Sequence, residues 1–384
     1  MNQEYAGQRL ISGMDGMRAL GVLMVLISHL WPRPDSILDY FHFGRVGVIL
    51  FFVISGFLVT RSLLELQRHV DDGSLGRFSA FATFYYRRAL RIFPLYYLAL
   101  AYLYWVAKDP YVTANPSWLL FYVSNYSFFA DVSFGNADHF WTLAVEEQFY
   151  FIIPFFLILL APRRSFLWIV MFFIGGIILK TLFAYSFSAR GGFYVWNYAT
   201  HPLWGCVEGL CLGALLAYKR STVTWVGSGS AVLAGFLCLT AASVYFYFFR
   251  ARINQDVLYT SLAHLCFALF SVTLIAYVSQ NQRGGLVRLL ELSIFKWIGR
   301  ISYGVYVIHY IARPGGVEWV ARNKEYFPEV LQPYLVFIVV SLFSLGLASL
   351  SFVCLEKPLL SLKKLYPKRP DGRARLEVAD SKRN

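Results

Sequence analysis

Arg18 and His29 stand eleven residues apart in one apolar stretch, MRALGVLMVLISHLW. Eleven residues is close to three helical turns, so on a helix the two project from nearly the same face, roughly 16 Å apart along the axis. Titratable groups are costly in a bilayer and usually face a protein interior or a wet cavity. A fixed cation at one end and an imidazole at the other suit charge stabilisation and proton transfer. The plain alternative is an arginine reaching the headgroups and a histidine bonded within a bundle. Three further stretches carry the same kind of signal. In FYYRRALRIFPLYY, Arg88 and Arg91 are helical neighbours and Arg87 adds a third guanidinium. The arginine fork grips oxyanions bidentately, although clustered arginines also mark cytoplasmic loops. Pro94 follows and is expected to kink the helix and open a groove. In FWTLAVEEQFYFIIPFF, Thr142, Glu146 and Tyr150 form an i, i+4, i+8 stripe. Adjacent helical residues point about 100° apart, which gives Glu146 the chemical or orienting role and leaves Glu147 supporting it. In ISYGVYVIHY, Ser302, Tyr306 and His309 again share one face, though Tyr and His are also common interface anchors.

The elements that must hold these groups are membrane helices. The chain has 384 residues, 58% hydrophobic and only 15% charged, which is too apolar for a soluble protein of this length. The predicted architecture is an all-α integral membrane bundle of about ten transmembrane helices. The spans run over about 16–31, 44–62, 89–107, 139–161, 166–187, 203–218, 229–249, 258–278, 297–313 and 333–355. The net charge of +13 sits mainly in every second loop, which excludes a nucleic-acid reading and predicts that both termini are cytoplasmic. The apolar stretch 117–130 breaks that alternation if it spans. It is therefore expected to be re-entrant or interfacial. The five cysteines lie in apolar segments without metal-ligand spacing, so no metal site and no disulfide framework is expected. The first apolar segment is expected to remain as an anchor. Residues 1–366 read as one transmembrane domain and 367–384 as a basic, disordered cytoplasmic tail. Four polar stripes in an apolar bundle predict a shared intramembrane cavity, with arginines at its cytoplasmic mouth and His and Glu deeper in.

The segments GMRALGVLMVLISHLW, VILFFVISGFLVT, FYYRRALRIFPLYY, FWTLAVEEQFY, ISYGVYVIHY and FVCLEKPLLSLKK resemble, in order, the motifs of the membrane acyltransferase-3 family. The likeness covers about residues 10–366. It implies a ten-span inner-membrane enzyme that O-acylates sugars of surface glycans or related acceptors. The implied donor is cytoplasmic acyl-CoA, chiefly acetyl-CoA, used as a substrate with no permanently bound cofactor. The R-x10-H pattern falls on Arg18 and His29, the R-x-x-R pattern on Arg88 and Arg91, and the S-x3-E-x3-Y pattern on Thr142, Glu146 and Tyr150. Thr142 departs from the usual serine but keeps a hydroxyl. Ile49 departs from a commonly polar position, which bears on acceptor contacts from the second span. By this resemblance His29 is the base or acyl relay, Glu146 orients it and Arg18 stabilises developing charge. Arg88 and Arg91, with Arg87, hold the donor phosphates. Glu147, Ser302, Tyr306 and His309 support them. A proton-coupled exporter of a glycan or lipid would use similar intramembrane charges, but paired broken helices are not evident.

Overall fold

The computed structural model describes residues 11–32, 42–190, 192–219, 222–253 and 257–365. The predicted disordered tail, 367–384, lies outside them.

Ten long helices occupy the ten apolar runs. We number them α1 Met14–Leu30, α2 Phe43–Asp71, α3 Arg77–Ala101, α4 Trp141–Leu159, α5 Pro162–Phe187, α6 Leu203–Lys219, α7 Gly229–Ile253, α8 Val257–Gln280, α9 Ser293–Arg322 and α10 Gln332–Ser351. The described residues contain no strand. A bilayer core of about 30 Å needs about 20 apolar helical residues. Six segments meet that demand by length and composition, and the helices over 203–218 and 229–245 are shorter. The remaining two, α1 and α9, carry the polar stripes of Arg18 and His29 and of Ser302, Tyr306 and His309. This is a multi-pass membrane protein.

Three helices outrun their predicted spans: α3 begins at Arg77, ahead of the predicted start at 89, and two others overrun at their C-terminal ends. α2 continues to Asp71 and α9 to Arg322, so His309 lies near the middle of its helix rather than near its outer end. α3 continues through Pro94, and the wide turn comes later, as a π-helical segment Tyr102–Val106. The 117–130 stretch does not span. It breaks into a short helix, Pro116–Leu120, and a 3-10 segment, Ser124–Ala130. Gln148 of α4 ties this stretch down: its amide donates to Asn125 Oδ1 at 2.7 Å and to the Tyr122 carbonyl at 2.8 Å.

Position in the bundle follows burial. In the most apolar window of α2, 67% of residues are buried, against 17% in α5 and in the α10 segment, so α2 is central and the other two are peripheral. Met171, Ile174, Ile178 and Leu182 of α5 and Ile338, Leu342 and Phe343 of α10 point outward, as lipid-facing positions do. α1 lies between α2 and α9, and α2 packs along α6. Glycines set the closest approaches. A Cβ at Gly299 of α9 would collide with the Asp15 carbonyl of α1, and one at Gly56 of α2 with the Leu210 carbonyl of α6. The small residue lets two backbones meet where a side chain would hold them apart.

Candidate active site

The Gly299 contact brings the stripe of α1 against that of α9. At one end Arg18 donates from Nε to Ser302 Oγ at 3.3 Å. At the other, His29 Nδ1 lies 2.9 Å from His309 Nε2, with the rings stacked 5.2 Å apart. Two sequence stripes, some 280 residues apart, thus form one polar seam.

At the arginine end the seam opens into a partly open cavity. Arg18, Arg88, Arg91, Glu146, Glu147 and Tyr150 line it, together with Thr142, Ser302 and Tyr306. Glu146 accepts from Ser55 Oγ at 2.7 Å and from Tyr150 Oη at 3.0 Å. The Arg88 guanidinium lies 5.3 Å from the centre of the Tyr150 ring. Glu356, buried in the π-helical segment Phe352–Glu356, adds a carboxylate within electrostatic range of Arg91 and Arg18. Lys363 follows beyond the last span. Its burial, with Arg91, Arg88, Arg87 and Arg18 as neighbours, pushes its ammonium down to about 7.

At the histidine end, His309 Nδ1 faces the carbonyls of Tyr306 at 2.6 Å and Val305 at 3.2 Å. A carbonyl only accepts, so Nδ1 carries the hydrogen. In the neutral form of His309 this leaves Nε2 as an acceptor, and His29 Nδ1 must donate to it. The free lone pair of His29 is then on Nε2. His139 joins the cluster with its ring 5.1 Å from that of His309 and its Nε2 on the Val307 carbonyl at 3.2 Å. Its buried Nδ1 has no partner. Stacked rings do not converge their nitrogens on one point. Among the described residues no group of three or more His, Cys, Asp or Glu is arranged to hold a metal ion.

Between the two ends stands Tyr306. Its hydroxyl lies 2.6 Å from Thr142 Oγ1 and donates to the His139 carbonyl at 3.0 Å. Tyr306 and Thr142 line the cavity, whereas His29 and His309 do not.

Several expectations change. Glu146 is not brought to His29; it lies at the arginine end on Ser55 and Tyr150, and the hydrogen-bonding neighbour of His29 is His309. Tyr306 and His309 are not interface anchors, since they are 7% and 0% exposed. Arg87 does not line the cavity and lies within electrostatic range of Glu65. Arg18, Arg88, Arg91, Thr142, Glu146, Glu147, Tyr150, Ser302 and Tyr306 are brought together as the stripes imply. Ser55, Glu356 and His139 join them without having been singled out. His139 had a signal, because it precedes Thr142 by three residues and extends that stripe by one turn. Ser55 and Glu356 sit inside motif stretches but have no polar group three or four residues away.

The profile of an acyltransferase domain matches residues 11–353. The chain belongs to that acyltransferase family. It is 26% identical over 327 residues to the peptidoglycan O-acetyltransferase OatA of Listeria monocytogenes, a match covering 79% of this chain and 49% of the relative. It is 26% identical over 384 residues to a putative O-acetyltransferase of Staphylococcus aureus, covering 92% of this chain and 58% of that one. The putative peptidoglycan O-acetyltransferase YrhL of Bacillus subtilis is 28% identical over 332 residues, covering 79% and 48%. The chain thus spans about half the length of the curated relatives it matches. No solved structure matches it.

Proposed function

We propose that this acyltransferase moves an acetyl group from acyl-CoA to a hydroxyl of a cell-wall carbohydrate in the inner membrane, with the arginine end facing the cytoplasm. One observation carries the mechanism. The bond from His29 Nδ1 to His309 Nε2, anchored on the Tyr306 carbonyl, leaves His29 Nε2 as the free base. The three cavity arginines and Lys363 outnumber carboxylates able to pair with them at one point, and suit the phosphates of a coenzyme A donor. The extended arm of the donor would carry the thioester along the seam, past Tyr306, toward His29. There His29 Nε2 takes the proton of the acceptor hydroxyl as its oxygen bonds to the thioester carbonyl carbon. The carbon–sulfur bond breaks and the proton passes to the departing sulfur, giving an acetyl ester and free CoA thiol. His309 holds the His29 ring through this exchange, as a carboxylate does in other base-catalysed transfers.

The test is transfer by the purified chain from acetyl-CoA to cell-wall glycan fragments, read as thiol release and ester formation together. His29→Ala should lower the rate by about a hundredfold or more. His309→Ala should lower it by a smaller factor. Donor binding without thiol release would indicate a carrier, and thiol release without ester a hydrolase; either outcome sinks the proposal.

A further inference from the structure

A second cation lies at the histidine end, outside the chemistry above. Arg45 is in the first turn of α2. Its neighbour Gly44 is so close to Ser28 that a Cβ there would collide with the serine hydroxyl, which sets Arg45 beside the turn that carries His29. The guanidinium lies 4.8 Å from the centre of the Trp196 ring and 5.5 Å from that of Trp141. Its Nη1 is buried without a hydrogen-bond partner. The charge of Arg45 reaches His29, His42, His201 and His264. Among the described residues no carboxylate forms an ion pair with it. The nearby acid, Glu208, lines a small buried pocket with Arg45; its Oε1 is held by Lys180 in a fully buried ion pair, and its Oε2 has no hydrogen-bond partner.

A desolvated guanidinium without a counter-ion is expensive. Two indole faces offset part of that cost, but they leave the planar donor fork unfilled. A bound anion would fill it. Indole rings beside a charged fork also suit a sugar ring, whose apolar face stacks on an aromatic while its acid group meets the cation.

We propose that Arg45, between Trp141 and Trp196, is an acceptor subsite that binds a carboxylate carried by the glycan whose hydroxyl is presented to His29. The proposal rests on the acyl-transfer reading for the meaning of acceptor, so its test separates binding from transfer. The probes are N-acetylmuramic acid and its methyl ester, in which a neutral ester replaces the charged carboxylate. Equilibrium binding to the full chain in lipid nanodiscs should favour the acid by roughly ten- to hundredfold, the range of one charged hydrogen bond. Arg45→Gln should bring that ratio near one while leaving ester binding intact. Arg45→Lys should restore part of it, because an ammonium lacks the fork. Equal binding of acid and ester by the wild-type protein overturns the subsite, and this comparison needs no variant to fold. A preference that survives in Arg45→Gln overturns it as well. So does an equal loss of kcat on both probes, which would place Arg45 at the reacting atoms. Binding of the acid that depends on Arg45, without acetyl transfer from acetyl-CoA, would keep the subsite and remove the transfer reading.

Discussion

Lys363 shows what a crowd of cations does to one of its members. Burial and the neighbouring arginines bring its ammonium to about 7, so near neutrality it is only partly charged. An unfolded lysine keeps its proton to about 10.4. Between about 7 and 10.4 the unfolded chain therefore binds more protons than the folded one, and this residue adds stability as pH rises through that window. The sign reverses for an anionic donor. A polyphosphate stabilises the charged form, so it binds with proton uptake and more weakly as pH rises through 7. We expect the apparent affinity for acyl-CoA to fall between pH 6 and pH 8. Lys363→Gln should flatten that fall while leaving the acceptor affinity unchanged. Titration of donor binding at several pH values in both proteins decides it. A slope unchanged in the variant would mean that Lys363 does not meet the donor.

The seam between α1 and α9 depends on a backbone contact, and the weight of that contact can be measured. A side chain at Gly299 must push α9 away from the Asp15 carbonyl. Gly299→Leu should lower the melting temperature and reduce transfer, because His29 and His309 would lose their stacked register. Gly315, whose Cβ position meets nothing, is the control, and Gly315→Ala should change neither. Equal behaviour of the two variants would show that the contact does not position the site. This seam also marks the limit of what the sequence tells. The apolar runs gave all ten helices, because each run is long and bounded by basic or turn-forming residues. The stripes gave Arg18, Glu146 and Tyr306 as partners in one cavity, because helical spacing is a local property. Spacing within a helix cannot say which stripe faces which. Glu146 was therefore assigned to His29, when the packing of α1 on α9 gives that place to His309. Arg45 was passed over for a related reason. No polar residue follows it on α2 at three, four, seven or eight residues, and its indole neighbours come from distant segments. The ends of α2 and α9 and the start of α3 were misjudged because polar residues in those turns break the hydropathy without breaking the helix.

At the scale of the whole molecule, the bundle holds two polar compartments in line with each other. One contains arginines and carboxylates, the other histidines. The Thr142–Tyr306 hydrogen bond lies between them. In the proposed transfer, a thioester in the first compartment would be kept from His29 in the second until that pair parts. Tyr306→Phe and Thr142→Val keep the bulk and remove the bond. Both should raise thiol release from acetyl-CoA in the absence of acceptor, relative to release in its presence. A ratio equal to that of the wild type would mean that the pair does not divide the site. There is an electrical side to the same pair. A row of protonatable and charged groups running much of the way through a bilayer is a potential wire for protons, and a cell that stores energy as a proton gradient cannot leave it closed. For the transfer proposed above, the section at Thr142 and Tyr306, which holds two neutral hydroxyls, would serve as an airlock: it would admit an acyl group while offering no fixed charge to a stray ion.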